Sequence, residues 1–261
     1  MRVTILGSGG SSGTPAIDWG WSRCDPENPK NRRLRPSILV EDDGALVLAD
    51  SSPDLRQQLL AAGVKRLDAV LYTHIHADHV HGIDDLRAIN RAMDAPLDAY
   101  GDAATLAEIG QRFPYVFSAL DHDATVRYKP TLVPHEIAAG QTFGVVGMRI
   151  TAFEQDHGVM KTMGYRFGPV AYSTDVVELP EASFAALDGV EAWIIGTLAD
   201  TPHPTHAHVD KALEWIARVK PRRAVLTHLS SLLDHEELSA RLPDGVEVAY
   251  DGMVIEAVAG C

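Results

Sequence analysis

Over positions 71–82 the chain reads LYTHIHADHVHG, placing His74, His76, Asp78, His79 and His81 within eight residues. Imidazoles and a carboxylate at this density point to metal binding, and the first four form the pattern HxHxDH. In an extended segment, residues two apart project to one side, so His74 and His76 can grip one ion together. Asp78 and His79 fall where the chain must turn toward a helix beginning near Asp84, and a turn re-aims both toward a second ion. Nitrogen and oxygen donors suit zinc, manganese or iron. With no thiolate nearby, copper(I) and a cysteine-bound structural zinc do not fit this cluster.

Four donors leave two ions incompletely held, and further donors stand at comparable places along the chain. His157 follows the strand-like MRITAF, Asp175 ends VAYSTD and His228 ends RRAVLTH, as His74 follows AVLYT. Donors at the carboxyl ends of several strands converge on one edge of a sheet. They form an open mouth, which suits catalysis better than a closed structural site.

The elements that must carry these residues are legible from periodicity. RVTILG reads as a strand and leads into the loop GSGGSSG at 7–13, while SILVED and GALVLADS flank an acidic hairpin turn at 42–44. SPDLRQQLLAAG reads as a helix capped by Ser52, with Pro53 at its first position and Gly63 past its end. LDAVLYTH is a buried-strand run, and IDDLRAINRAM and HVDKALEWIARVK are helices. VEVAYDGMVIEAV reads as two closing strands joined in a hairpin at Asp251 and Gly252. These elements predict α/β layers. No linker or repeat divides residues 1–261, so a single domain is expected. GSGGSSG imitates a dinucleotide loop, but Ser12 stands where the third glycine belongs and a poor helix follows. It is read as a tight loop able to border the active site.

The chain is 46% apolar and 23% charged with a formal net charge of −13. That is a globular composition, and it disfavours sequence-independent nucleic-acid binding, which relies on basic surface. Cys24 and Cys261 are the only cysteines, which makes no disulfide framework and fits a reducing compartment. No stretch approaches the roughly 18 apolar residues of a membrane span, and the N-terminus reads as a strand rather than a secretory signal. A cytoplasmic protein is expected.

THIHADH together with His157, Asp175 and His228 resembles the metallo-β-lactamase superfamily of binuclear hydrolases over nearly the whole chain. The resemblance implies a four-layer αββα sandwich and two divalent ions, zinc or manganese. It implies that His74, His76 and His157 bind one ion, that Asp78, His79 and His228 bind the other, and that Asp175 bridges them. His81 is left out of the pattern and reads as a pocket-rim residue.

Within the superfamily, a β-lactamase would carry cysteine in place of Asp175. The glyoxalase II and lactonase branch favours a second glycine after its motif, where this chain has HVHGIDD, and a helical C-terminal domain. The tRNA 3′-processing endonucleases share THxHxDH and the ending LTHLS, but insert a clamping arm between the ligands matching His157 and Asp175. Here only 18 residues separate the two. The nearest likeness is to the phosphodiesterases that open phosphoribosyl cyclic phosphate in phosphonate catabolism. The shared features are the Gly/Ser loop, NPKNRRLRPS, THxHxDHVxG, STD, VLTHLS and YDGM. This likeness implies hydrolysis of a small cyclic nucleotide or sugar phosphodiester by a metal-bridging hydroxide. Those enzymes also hold a structural zinc, on cysteines near Cys24 and a histidine at the position of Ser231. Both halves are missing here, so no structural zinc is expected. The alternatives are a tRNA 3′-processing RNA endonuclease and a thioester or lactone hydrolase on the same metal site.

Asp78 and His206 are the catalytic candidates. His206 lies 22 residues before His228, where the phosphodiesterase and tRNA-processing branches place an assisting histidine, and it is expected to protonate the leaving group. His203 and His208 lie close to it in sequence. Lys30, Arg32, Arg33 and Arg35 form a basic run that could clamp phosphate. Arg35, His81 and His206 are the candidate substrate contacts. His122 and His135 read as structural or rim residues, and His235 as an exposed helical histidine. A homodimer is the expected assembly.

Overall fold

The acidic turn at 42–44 closes the predicted hairpin: strands β2 (Ser37–Asp42) and β3 (Ala45–Ala49) pair antiparallel, with Asp43 and Gly44 both at positive φ. Two adjacent left-handed residues match the strands' own twist, which is why Asp-Gly suits such a turn. The computed structural model describes residues 1–120 and 126–257, so His122 and Cys261 lie outside the described residues.

Twelve further strands complete two sheets. They are β1 (Arg2–Gly7), β4 (Ala69–Leu71), β5 (Leu97–Gly101), β6 (Leu132–Glu136), β7 (Thr142–Val145), β8 (Met148–Asp156), β9 (Lys161–Phe167), β10 (Val170–Ser173), β11 (Ala192–Gly196), β12 (Arg223–Thr227), β13 (Val246–Val248) and β14 (Val254–Glu256). One sheet runs β14-β1-β2-β3-β4-β5-β6 and the other β13-β12-β11-β10-β9-β8-β7. Both have the same plan. An antiparallel set, β14 to β3 or β7 to β10, continues into a parallel set, β3 to β6 or β10 to β13.

The layering follows from which faces are apolar. Strands such as SILVED and ALVLA are buried on both faces, so they read as unbroken apolar runs. Val3, Ile5, Ile38 and Val40 of one sheet meet Ile150, Tyr165, Phe167 and Ile194 of the other in the central core. On its outer side the first sheet presents Leu39, Leu48 and Val70 to Leu55, Leu86, Ile89 and Ile109 of helices α1 (Leu55–Ala61), α3 (Leu86–Met93) and α4 (Ala103–Arg112). The second presents Trp193, Ile195 and Leu226 to Leu187, Trp215 and Leu238 of α5 (Glu181–Leu187), α6 (Val209–Val219) and α7 (His235–Ser239). Three apolar interfaces separate four layers, giving the expected αββα sandwich. No helix among the described residues is long and apolar enough to cross a membrane.

Three local expectations are corrected. Helix α1 starts at Leu55 with Asp54 at its N-cap, because the Ser52 hydroxyl accepts from Asp54 N and holds residues 52–54 in a turn. Asp251 and Gly252 do not close a hairpin: β13 belongs to one sheet and β14 to the other. The turn carries the chain between sheets, pinned by Asp251, whose carboxylate accepts from Ser8 N and Leu34 N. His235 is buried, because the loop around Asn31 covers the start of α7 and Asn31 Oδ1 accepts from His235 N.

Candidate metal centre

The HxHxDH segment leaves the sheet at β4 and is held by backbone until its side chains are aimed. Tyr72 N still donates to Tyr100 O of β5, and Thr73 N donates to the Asp50 carboxylate at the end of β3. His76 is extended and precedes the single helical turn α2 (Ala77–Val80), closed by His79 N to His76 O at 3.0 Å. That one turn separates the His74–His76 pair from the Asp78–His79 pair, as the spacing requires. His157 follows β8, Asp175 follows β10 and His228 follows β12, all at the same end of the sandwich. Asp50, Asp175 and His228 adopt positive φ of 65°, 49° and 58°. For non-glycine residues this costs of order 1–3 kcal/mol each, and here it turns three side chains at strand ends into one site.

The donors form two groups that share one residue. His74, His76, His157 and Asp175 offer ligand atoms within 4.8 Å of one another, and so do Asp78, His79, His228 and Asp175. Asp175 Oδ2 lies 3.7 Å from His74 Nε2 and 3.6 Å from His157 Nε2, while Oδ1 lies 3.1 Å from both His79 Nε2 and His228 Nε2. Asp78 Oδ2 stands 3.3 Å from His79 Nε2 and 3.5 Å from His228 Nε2. His74 Nε2, Asp78 Oδ2, His79 Nε2 and His228 Nε2 are buried without a hydrogen-bond partner. Orphaned buried atoms of this kind call for a missing partner. A divalent cation in each group would satisfy them, so the residues fit two metal ions.

Other side chains fix the ligand rings. His79 Nδ1 donates to Asp50 Oδ2 at 2.6 Å, and the Thr73 hydroxyl donates to the same carboxylate at 2.8 Å. Thr205 O accepts from His157 Nδ1 at 2.7 Å. Both bonds commit Nδ1 as the protonated nitrogen and leave Nε2 for a cation. Burial opposes charge on His79, yet Asp78, Asp175 and Asp50 together favour a positive charge there, which a proton or a metal ion at Nε2 can supply. Burial would raise Asp175, but His228, His79 and His74 hold it well below the carboxylate range, so it stays ionised. Burial pushes His74 down, keeping it a neutral donor.

Around this centre the structure distributes the remaining candidates unevenly. His206 Nδ1 lies 3.9 Å from Asp175 Oδ2, and its ring stacks on His228 at 4.9 Å. Burial and the neighbouring His228 push its imidazole down to about 3, so it is neutral near pH 7 and offers one ring N–H. His203 is one step further out, 5.3 Å from the His206 ring, and His208 precedes α6. His81 is exposed, edge-on to Phe113, outside both donor groups. The basic run does not act as a unit. Arg33 is buried, Lys30 lies over Tyr250, Arg32 over Trp21, and Arg35 pairs with Asp54 at 2.8 Å. His135 binds Asp98 and stacks on Tyr100 at the sheet edge.

Asp50 is the residue that sequence reading missed. Its signal was present, since Asp50 ends the apolar run GALVLAD as His74 follows AVLYT.

The family model described as a beta-lactamase superfamily domain matches residues 46–229. A solved diphosphatase from the PhnP family is 34% identical with a TM-score of 0.90, covering 99% of this chain and 98% of that one. An octanoyltransferase of Porphyromonas gingivalis (strain ATCC BAA-308 / W83) is 34% identical over 256 residues, 97% of this chain. The chain spans about half of that relative's length, 51%. A ribonuclease Z of Mycobacterium sp. (strain KMS) is 28% identical over 262 residues, covering 95% of this chain and 82% of that protein. The matched domain, the two sheets and the shared carboxylate agree: the chain belongs to the beta-lactamase superfamily, as a metal-dependent hydrolase near the PhnP family.

Proposed function

We propose that this protein is a binuclear phosphodiesterase acting on a small nucleotide or sugar phosphodiester. The carrying observation is Asp175, whose two carboxylate oxygens each face a separate set of imidazoles. The similarity to a diphosphatase supports scission of a P–O bond. Two divalent ions held by His74, His76 and His157 and by Asp78, His79 and His228, with Asp175 common to both groups, would supply Lewis acidity there. The chain's own residues do the rest. Asp175 and Asp78 stay ionised and offset cationic charge, while Asp50 and Thr205 orient His79 and His157. His206 presents a neutral imidazole beside Asp175, placed to give an N–H hydrogen bond to the developing leaving oxygen.

An RNA endonuclease reading is less well supported. The residues between His157 and Asp175 form β9 and β10, both built into the sheet, which leaves no segment for a projecting arm. The test is an assay panel on zinc- or manganese-loaded protein, comparing a cyclic nucleotide, an aryl phosphodiester, a thioester and a β-lactam. Phosphodiester turnover that disappears with a chelator is expected, with two ions per chain by metal analysis. Preferential thioester or β-lactam turnover overturns the reading. His206→Ala should lower turnover by ~10²-fold with metal content unchanged, in the range of proton-directing side chains.

A further inference from the structure

A cavity of about 350 Å³ lies between the glycine/serine loop at 10–13 and the loop at 230–232 that follows His228. It adjoins the metal centre. A side-chain carbon added at Gly10 would stand 3.5 Å from the His228 ring and 3.2 Å from Leu198, and His203 in its wall neighbours His206. Gly10 thus lines the cavity within side-chain reach of a ligand ring. The size suits a small organic ligand.

Its lining carries no Asp, Glu, Lys or Arg among the described residues, and His203 is its one titratable side chain. On one side stands Trp19, 69% exposed, in a tight turn closed by reciprocal hydrogen bonds between Ala16 and Gly20 at 2.9 and 2.8 Å. The turn presents an indole to the cavity without burying it, and the Ser11 and Ser12 hydroxyls stand exposed at the rim.

We infer that this cavity receives the nucleoside part of the substrate, with the base stacked on Trp19. The inference rests on the phosphodiesterase reading and narrows it. A sugar phosphodiester bearing a second phosphate would bring a dianion into this space, and a dianion needs cations. Of the guanidiniums around it, Arg23 faces Asp200 at 4.0 Å and Glu237 at 3.7 Å. Arg33 donates to Ser230 O and Leu233 O, and Arg35 pairs with Asp54. A neutral, planar body with hydrogen-bonding edges matches what the wall does offer: an aromatic face, serine hydroxyls and loop backbone.

The test compares adenosine 2′,3′-cyclic phosphate with the cyclic phosphate of methyl riboside, which keeps the reacting ring and lacks the base. On metal-loaded enzyme, Trp19→Ala should raise KM for the nucleotide by ~10-fold or more, the range of base–aromatic stacking, and leave kcat unchanged. Trp19→Phe should restore most of the loss, and KM for the base-free substrate should not move. Equal KM changes for both substrates, or none for either, overturn the inference. AMP should quench tryptophan fluorescence in the wild type and lose that quench in Trp19→Phe; a quench surviving in the variant also overturns it. If neither cyclic phosphodiester is turned over, the phosphodiesterase reading falls, and the AMP titration alone then decides the cavity.

Discussion

Two buried polar clusters lie close together at this end of the molecule, and they solve the cost of burial in opposite ways. The first holds Cys24, Asn31, Arg33 and Asp234. Arg33 donates to Ser230 O at 3.0 Å, Leu233 O at 2.7 Å and Asn31 Oδ1 at 3.2 Å, and Asn31 donates to Asp234 at 2.6 Å. The second is the metal centre, where ring nitrogens and a carboxylate oxygen face one another without a bond. Buried polar groups need partners. Where the chain supplies them the cluster is a latch, tying the 24–33 segment to the loop after His228. Where it does not, a cation must.

The latch also bears on the structural zinc expected to be missing. Cys24 and Ser231 do meet, but as a thiol donating to a backbone carbonyl at 3.4 Å, with the Arg33 guanidinium 3.8 Å from the sulfur. Burial pushes the thiol's pKa up, against the opposing pull of the Arg33 guanidinium.

Breaking the open cluster should have the largest effect. Asp175→Ala removes the residue both donor groups share. Several kcal/mol of catalysis should go, on the order of 10³-fold or more in kcat/KM, and metal analysis should find fewer than two ions per chain. Full activity with two ions retained would erase the contrast. Breaking the closed cluster should cost stability. Arg33→Met removes the donor to Ser230 O, Leu233 O and Asn31 Oδ1 and should lower unfolding free energy by about 3 kcal/mol, read by denaturant titration. If metal occupancy of the folded fraction falls as far as stability does, the two clusters are not separable.

Smaller effects sharpen the boundary between them. Asp50→Ala frees the His79 ring and should weaken metal affinity by about 10–100-fold, measured by competition with a chelator. An unchanged affinity would demote Asp50 to a packing residue. Asp251, beside the latch, is pushed up to about 6 by burial, against about 4 in an unfolded chain. Between those values the folded chain holds a proton that the unfolded chain has released. Its contribution to stability is therefore full below pH 4 and lost as pH rises through 6. The loss should not exceed about 2 kcal/mol, and Asp251→Asn should flatten that part of the stability profile.

Sequence alone carried the chemistry a long way because the informative spacings are local. HxHxDH at the end of an apolar run, and single donors closing three other strand-like runs, named all seven residues that the fold gathers into two groups. Alternation and helical periodicity placed the hairpin at 42–44 and helix α6 for the same reason, since both are set by neighbours a few residues apart. What remained hidden depends on contacts between distant segments. Asp50 closes an apolar run like the other donors, but its role is set by its bond to His79, 29 residues later. His235 is buried by a loop some 200 residues earlier in the chain. The turn at Asp251 has hairpin residues, yet it joins two sheets because Ser8 and Leu34 hold its carboxylate. The matching plan of the two sheets has no repeat period in the sequence, because pairing order needs only apolar faces, not identical residues. Local pattern determined which side chains could bind metal; the tertiary fold alone decided which buried groups were left unpaired, and so where the metal is needed.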